Sequence, residues 1–140
     1  MSKQGHAPLH HLRRVVRQQG VYAVVRDAAD NVLLVRTASG RCYLPGGRVE
    51  PGESEGAALL RELAEECGWS ARIGAPLCSC DQPIMDGRVM LAARYWHATL
   101  VDPLPSAPEH DLLWLPASEA LTRVHRPGDQ AALVLVAYER

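Results

Sequence analysis

A loop rich in proline and glycine that leads directly into a bracketed helix constrains the fold more than any other part of the sequence. Residues 45 to 47 are Pro-Gly-Gly and residues 51 to 52 are Pro-Gly, and both groups interrupt regular structure. Ser54 is a favoured N-cap residue, and Gly68 stands where a C-terminal cap is expected. The pattern therefore predicts a shaped loop followed by a helix from about 55 to 67.

The predicted helix separates apolar residues from acidic ones. Because successive side chains are about 100° apart, one side of the helix is apolar and a neighbouring arc of roughly 100° is acidic. The apolar side consists of Leu59, Leu60, Leu63, Ala64 and Cys67, and the acidic arc consists of Glu62, Glu65 and Glu66. Like charges at this spacing repel each other. The acidic arc is therefore either a solvated surface or a site that binds a cation.

The loop and the helix together resemble a family motif. From Gly47 to Trp69 the sequence is GRVEPGESEGAALLRELAEECGW, which resembles the Nudix box along its whole length. All seven fixed positions of the box match, namely Gly47, Glu53, Arg61, Glu62, Glu65, Glu66 and Gly68. A chance match at all of them in one frame has a probability on the order of 10⁻⁸. Trp69 replaces the final aliphatic residue of the box, and the resemblance covers roughly residues 20 to 138.

The Nudix resemblance implies a metal-dependent hydrolase. It implies hydrolysis of a diphosphate linkage in a nucleoside triphosphate or a similar nucleoside diphosphate derivative, as in MutT-like pyrophosphohydrolases. The implied cofactor is Mg²⁺, with Mn²⁺ as the alternative, and the implied ligands are Glu62, Glu65 and Glu66, because Mg²⁺ prefers carboxylate oxygens. Two alternatives stay open: an ADP-ribose or nucleotide-sugar pyrophosphatase, and a non-catalytic nucleotide-sensing Nudix module. The sensing class typically lacks box carboxylates, and none is missing here.

The resemblance also assigns roles to residues around the metal. It implies that Arg61 and Glu53 pair and hold the loop against the helix, a task that suits a planar guanidinium. Family members take their general base either from the box or from a distant loop. Glu66 is therefore the first candidate for the base, and Glu109 is the second.

Residues next to the box are candidates for substrate binding. Gly46 and Gly47 allow the backbone to approach a phosphate closely. Arg41 and Tyr43 precede these glycines and could line a pocket for the base or the ribose. His110 is predicted to be a solvated loop residue.

The remaining sequence predicts a single α/β domain with a mixed sheet, and the resemblance specifies a Nudix-type α/β/α sandwich with α+β elements. Residues 1–19 are predicted to be an N-terminal arm, and residues 20–140 the Nudix domain. The predicted strands are 21–26, 32–36, 42–44, 71–80, 88–100 and 111–115, and the predicted closing helices are 116–123 and 129–138. Turn-forming residues at 27–31 predict that the first two strands form a hairpin, and 81–87 is predicted as a second turn.

Composition and charge restrict the class of protein. The chain has 140 residues of which 47% are hydrophobic, which suits one compact core. A net charge of −1 argues against bulk binding of nucleic acid. The longest apolar stretches are far shorter than the roughly 20 residues needed to cross a bilayer, and no secretory signal is recognisable. We therefore expect a cytoplasmic protein whose partner is a small-molecule nucleotide, and a homodimer is compatible with the sequence.

Overall fold

A computed structural model describes residues 15–139 of the chain, so most of the predicted N-terminal arm lies outside the described residues. Within that range the chain forms seven strands and three helices. The strands are β1 (Val16–Val25), β2 (Asn31–Arg36), β3 (Cys42–Tyr43), β4 (Gly46–Arg48), β5 (Trp69–Ile84), β6 (Val89–Pro103) and β7 (Asp111–Pro116). The helices are α1 (Glu55–Cys67), α2 (Ala117–Arg123) and α3 (Pro127–Ala137).

The strands form two sheets, and the predicted mixed α+β fold is confirmed. Four strands follow the order β4-β1-β6-β5, and three follow the order β3-β2-β7. Strands β1 and β6 run parallel, whereas the other paired strands are antiparallel. None of the helices in residues 15–139 is both long enough and apolar enough to span a bilayer.

Both faces of the central strand β1 are buried, which produces the predicted layers. Successive side chains of a strand point to opposite faces. Val21, Ala23 and Val25 therefore pack in one cluster with the apolar side of α1, while Tyr22 and Val24 pack in a second cluster with α2 and α3. The α1 residues in the first cluster are Ala58, Leu59, Leu63 and Cys67, and the helical residues in the second are Ala120, Ala132, Leu133 and Val136. The sheets are thus enclosed between helices.

Helix α1 has the predicted bounds and the predicted caps. The Ser54 hydroxyl accepts a hydrogen bond from the Ala57 N–H at 3.1 Å, which satisfies a free donor of the first turn. Gly68 ends the helix in the left-handed conformation with φ 74°, and its N–H donates to the Ala64 carbonyl. One detail differs from the prediction, because Leu60 on the predicted apolar side is 40% exposed.

The predicted hairpin of the first two strands is wrong. The turn itself is present, since the Asp27 carboxylate accepts hydrogen bonds from the Ala29 and Asn31 N–H groups. Beyond a single bridge between Arg26 and Val32, however, the strands separate into different sheets. Strand β1 pairs with β6 along one edge and with β4 at Gly20–Tyr22 on the other, whereas β2 pairs with β3 and β7.

Three strands extend several residues further than the sequence predicts, and β6 does so by ending at Pro103 rather than at 100. Strand β1 begins at Val16 rather than Val21, because its first residues pair with β6. Strand β5 continues through 81–84, a segment predicted as turn, because each of these residues pairs with a residue of β6. The reversal occurs later, where Met85 and Asp86 take positive φ values of 52° and 56°. Long-range pairing overrides local sequence preference in β1 and β5.

Two alanine substitutions, one at the C-cap Gly68 and one at Gly56 within α1, test the role of the glycine that ends the helix. Gly68→Ala is expected to destabilise the protein by about 1 kcal/mol, because a left-handed residue with a Cβ is strained and the added atom would lie 3.2 Å from the Ser106 carbonyl oxygen. Gly56→Ala is the matched control within the same helix. Its Cβ would contact Ile73 at an ordinary 3.7 Å, so we expect stabilisation of up to about 1 kcal/mol. Urea unfolding measures both, and an unchanged Gly68→Ala variant contradicts the prediction.

Candidate active site

An ion pair connects the glycine-rich loop to helix α1. The Arg61 guanidinium donates through Nε and Nη2 to the two oxygens of Glu53, at 2.6 and 2.9 Å. Nη2 also donates to the Arg48 carbonyl at 3.1 Å, and the Glu50 N–H donates to Glu53 at 2.9 Å. The hydrogen bonds from Arg61, followed by that from Glu50, lower the pKa of Glu53 to about 2. Arg61 and Glu53 therefore form the pair that the resemblance implies. Arg61 on α1 also binds the Arg48 carbonyl, and Glu53 also binds the Glu50 N–H, so the pair holds the loop against the helix.

Two box glutamates lie in close contact with Gly46 and Gly47, which the sequence places in a loop but which form strand β4, because they pair with β1. Glu62 and Glu66 are partly buried, with side chains 16% and 15% exposed. The Gly46 N–H donates to Glu66 Oε1 at 2.9 Å. A Cβ added at Gly47 would overlap the Glu62 carboxylate. The two glycines thus permit strand β4 to lie directly on the acidic face of α1.

The environment of these carboxylates opposes their ionisation. Burial raises the pKa of Glu66 to about 8, and the negative charges of Glu62 and Glu109 add to the increase, although the Gly46 hydrogen bond opposes it. Burial also raises the pKa of Glu62, against the effect of Arg61. A cation between the two carboxylates would favour the ionised forms of both.

The loop after β6 brings a fourth carboxylate to the site. The Glu109 N–H donates to the Glu65 carbonyl at 3.1 Å, and the His110 N–H donates to the Glu66 carbonyl at 3.5 Å. The imidazole of His110 lies 4.0 Å from the Glu66 carboxylate. These contacts hold the loop against the C-terminal half of α1. Glu109 itself is exposed, yet its charge raises the pKa of Glu66, so it lies within electrostatic range of the site.

The acidic face is only partly arranged for a metal ion. Within residues 15–139, no three His, Cys, Asp or Glu side chains converge on one metal position. Glu65 is 48% exposed and forms an ion pair with Arg61 at 3.3 Å, while Glu62 and Glu66 lie under strand β4. Mg²⁺ often binds through one or two carboxylates and retains several waters. The donor set of Glu62 and Glu66, with its unbalanced negative charge, fits such an ion.

A small pocket adjoins the carboxylates. It has a volume of about 200 Å³ and combines apolar with polar walls. Its lining consists of Val35, Thr37, Tyr43, Leu44, Gly46, Glu66, His110 and Arg126. Tyr43 and Gly46, two of the candidate substrate-binding residues, line this pocket, and so does His110. Arg41 lies in an exposed turn and does not line the pocket.

A buried network behind the pocket was not predicted from the sequence. Arg126 donates through Nε and Nη2 to Asp129 Oδ1, at 3.1 and 3.0 Å. Asp129 also accepts hydrogen bonds from the Tyr95 hydroxyl at 2.8 Å and the Leu44 N–H at 3.1 Å. The Arg126 guanidinium lies 4.2 Å above the centre of the Tyr22 ring. In the sequence, Asp129 resembled an ordinary residue of the first turn of a helix, and no local signal indicated its burial.

The fold and this site place the chain in a known family. The NUDIX domain family model matches residues 16–135, and the chain therefore belongs to the Nudix family. A CTP pyrophosphohydrolase of Escherichia coli is 38% identical over 85 residues, which are 60% of this chain and 62% of the relative. An 8-oxo-(d)GTP phosphatase of Mycolicibacterium smegmatis is 35% identical over 92 residues, which are 64% of this chain and 28% of the relative. The chain thus spans less than two thirds of each of these relatives.

Solved structures share the fold over nearly the whole chain. The solution structure of the E. coli ORF135 protein has a TM-score of 0.70 at 30% identity and covers 89% of this chain and 94% of that protein. The MutT protein of Methanosarcina mazei Go1 has a TM-score of 0.75 at 23% identity, with coverage of 91% and 97%.

Replacing Glu66 tests the cost of its buried charge. Its pKa is raised from 4.5 to about 8 on folding, so the folded state holds this proton more tightly than the unfolded state. The stability that the folded protein gains from binding this proton is fully present below about pH 4.5 and is lost as the pH rises through about 8. In metal-free protein, Glu66→Gln should therefore be more stable than wild type, by an advantage that grows between about pH 5 and pH 9 to the order of a few kcal/mol.

Urea unfolding in the presence of a chelator at several pH values measures this difference. Glu119→Gln is the matched control, because it removes the same carboxylate from an exposed position on α2, where Glu119 is 49% exposed. A Glu66→Gln advantage that stays constant from about pH 5 to pH 9 contradicts the assigned pKa.

Proposed function

We propose that this chain is a Mg²⁺-dependent Nudix hydrolase that cleaves a diphosphate linkage in a nucleoside triphosphate or a similar nucleoside diphosphate derivative. Nudix hydrolases generally use divalent metals. A nucleotide substrate is supported by two relatives, which are named a CTP pyrophosphohydrolase and an 8-oxo-(d)GTP phosphatase. A homodimer and a cytoplasmic location remain predictions.

One observation carries this proposal: partly buried carboxylates with raised pKa values lie beside a pocket of nucleobase size. Glu66 belongs to both features, since it is held by the Gly46 N–H and also lines the pocket. Purely structural ion pairs seldom leave two carboxylates together with an excess of negative charge, because their repulsion is unfavourable without a cation. The arrangement therefore favours a catalytic role for this face of α1.

The chain's own residues would have separate roles in hydrolysis. A bound Mg²⁺ supplies positive charge for the phosphates and acidifies a water molecule. Glu62 and Glu66 would hold the ion, and Glu65 would join them by leaving its contact with Arg61. Arg61 and Glu53 would keep the loop in place, which preserves the distance between phosphate and carboxylates. Gly46 and Gly47 would leave room for the phosphates above strand β4.

Glu66 is the first candidate for the general base. With a pKa of about 8 it is mostly protonated near neutral pH, and a protonated carboxyl cannot accept a proton. With a cation bound beside it, Glu66 would have a lower pKa and would be in the ionised form that can act as a base. Glu109, on the loop that docks on α1, is the second candidate, because its carboxylate is exposed to water and near Glu66.

Metal dependence is the first test. We expect turnover with Mg²⁺ or Mn²⁺ and none in excess chelator, because the carboxylate face must be neutralised before it can accept a polyphosphate. A phosphate-release screen across nucleoside triphosphates, ADP-ribose and nucleotide sugars, coupled to a pyrophosphatase or a phosphatase, measures activity and substrate class together. Full activity in chelator contradicts the proposal, and activity limited to ADP-ribose or nucleotide sugars selects the alternative substrate class.

Two glutamine substitutions separate the candidates for the base. Glu66→Gln keeps the size of the side chain but removes a proton acceptor and a metal ligand, so kcat should fall by about 10² to 10⁴ with a much smaller effect on substrate binding. Glu109→Gln is assayed in parallel, and the remote Glu119→Gln serves as the control.

A large loss at Glu109 with near-normal turnover at Glu66 would assign the base to Glu109. Near-normal turnover in both variants would exclude the carboxylate mechanism. Saturable nucleotide binding without turnover in wild-type protein would favour the sensing module.

A further inference from the structure

Arg126 has one end of its guanidinium available to a ligand. Nε and Nη2 are occupied by Asp129, and Nη2 also donates to the Leu44 carbonyl at 3.4 Å. Among the described residues, no acceptor is hydrogen-bonded to Nη1, and Nη1 is not one of the fully buried unpaired atoms. The side chain is 19% exposed and lines the pocket, so Nη1 is the guanidinium nitrogen left to hydrogen-bond a ligand there.

The guanidinium is also fixed in orientation before any ligand arrives. It lies 4.2 Å from the ring centre of Tyr22 and 5.0 Å from that of Tyr43, and its hydrogen bonds to Asp129 set the rotation about its axis. A donor that is held in place by its neighbours loses little conformational freedom on binding. Nη1 is therefore suited to recognise one acceptor in a defined position.

The charge around Arg126 favours a neutral acceptor over a phosphate. Asp129 is fully buried and pairs with the guanidinium at 3.0 Å, so the positive charge is largely compensated. A phosphate at Nη1 would be attracted by Arg126 but repelled by the carboxylates of Asp129 and Glu66. An uncharged carbonyl oxygen gains the hydrogen bond without that repulsion.

The size of the pocket also indicates a part of a nucleotide. Its volume of about 200 Å³ is below the roughly 300 to 1,000 Å³ of pockets that enclose a whole small ligand. Val35, Leu44 and the ring of Tyr43 supply apolar and aromatic walls, which suit a flat base. A base in this pocket would also leave its phosphates close to Glu66.

We propose that Arg126 determines specificity for the base, by donating a hydrogen bond from Nη1 to the exocyclic carbonyl oxygen of a 6-oxopurine. This inference rests on the proposed function, because it requires a nucleotide in the pocket. Guanine carries a carbonyl oxygen at C6, where adenine carries an amino group. An amino group in the same position would place a donor against the Nη1 donor and leave both unpaired, which is unfavourable.

The experiment compares GTP, ITP and ATP with wild-type protein, Arg126→Lys and the double variant Arg126→Met/Asp129→Asn. Wild type should have a kcat/KM ratio of GTP to ATP of about 10 to 100, as expected for one hydrogen bond to a charged group. ITP keeps O6 but lacks the 2-amino group, so it should behave like GTP. Arg126→Lys keeps the ion pair with Asp129 but loses Nη1, and the ratio should fall towards one.

The double variant is included because a substitution of Arg126 alone would leave the buried Asp129 carboxylate unpaired and could destabilise the fold. Arg123→Lys is the matched control, since Arg123 lies on α2 and pairs only with the exposed Glu119 among the described residues. Thermal unfolding shows whether each variant is folded. Both Arg126 variants should lose the purine preference, and Arg123→Lys should keep it.

Two outcomes would overturn the inference while leaving the hydrolase intact. One is turnover of GTP and ATP at equal kcat/KM in wild type. The other is an equal loss for all three nucleotides in Arg126→Lys, which would mean that Arg126 contacts the phosphate or the ribose. Titration of metal-free protein with guanosine and adenosine, followed by NMR, requires no turnover. If no nucleotide is hydrolysed but guanosine binds more tightly than adenosine through Arg126, the proposed activity fails and this inference stands.

Discussion

The site depends on one contact, in which strand β4, with Gly46 and Gly47, lies directly on the acidic face of helix α1 and continues into the loop that carries Glu53. Gly47 lies so close to Glu62 that a Cβ at this position would overlap the carboxylate, and the Gly46 N–H donates a hydrogen bond to Glu66. Arg61 and Glu53 hold that loop against the helix. The contact removes water from two carboxylates, and that loss of water raises their pKa values. Geometry and electrostatics at this site therefore have the same origin.

The two polar clusters of the protein differ in how their charges are balanced. At Asp129 a buried carboxylate receives hydrogen bonds from a guanidinium, a hydroxyl and a backbone N–H, so its charge is satisfied within the chain. At Glu66 a backbone N–H is the main stabilising partner, and the neighbouring charges are mostly negative. A complete network of this kind supports structure, whereas an incomplete one favours binding of an external cation.

Local sequence signals predicted the parts of the fold that local interactions determine. Helix α1 was predicted with its caps because Ser54 and Gly68 act within one turn of its ends. Glu53 and Arg61 lie at a fixed spacing within one short segment, so the resemblance could specify that they pair. The Arg126 network joins residues 82 and 85 positions apart, and no local pattern contains that information. The failed hairpin has the same cause, because β1 pairs with β6 and β4 rather than with β2.

The parallel pairing of β1 with β6 has a consequence for how the chain acquires its structure. Partners such as Val16 and Val89 lie about 70 residues apart in the sequence, and the central strand cannot complete its sheet before β6 has emerged from the ribosome. Contacts of such high sequence separation slow folding. Helix α1, in contrast, has its caps within its own segment and can form early. During synthesis the residues of this acidic helix therefore leave the ribosome before the sheet on which the helix packs is complete.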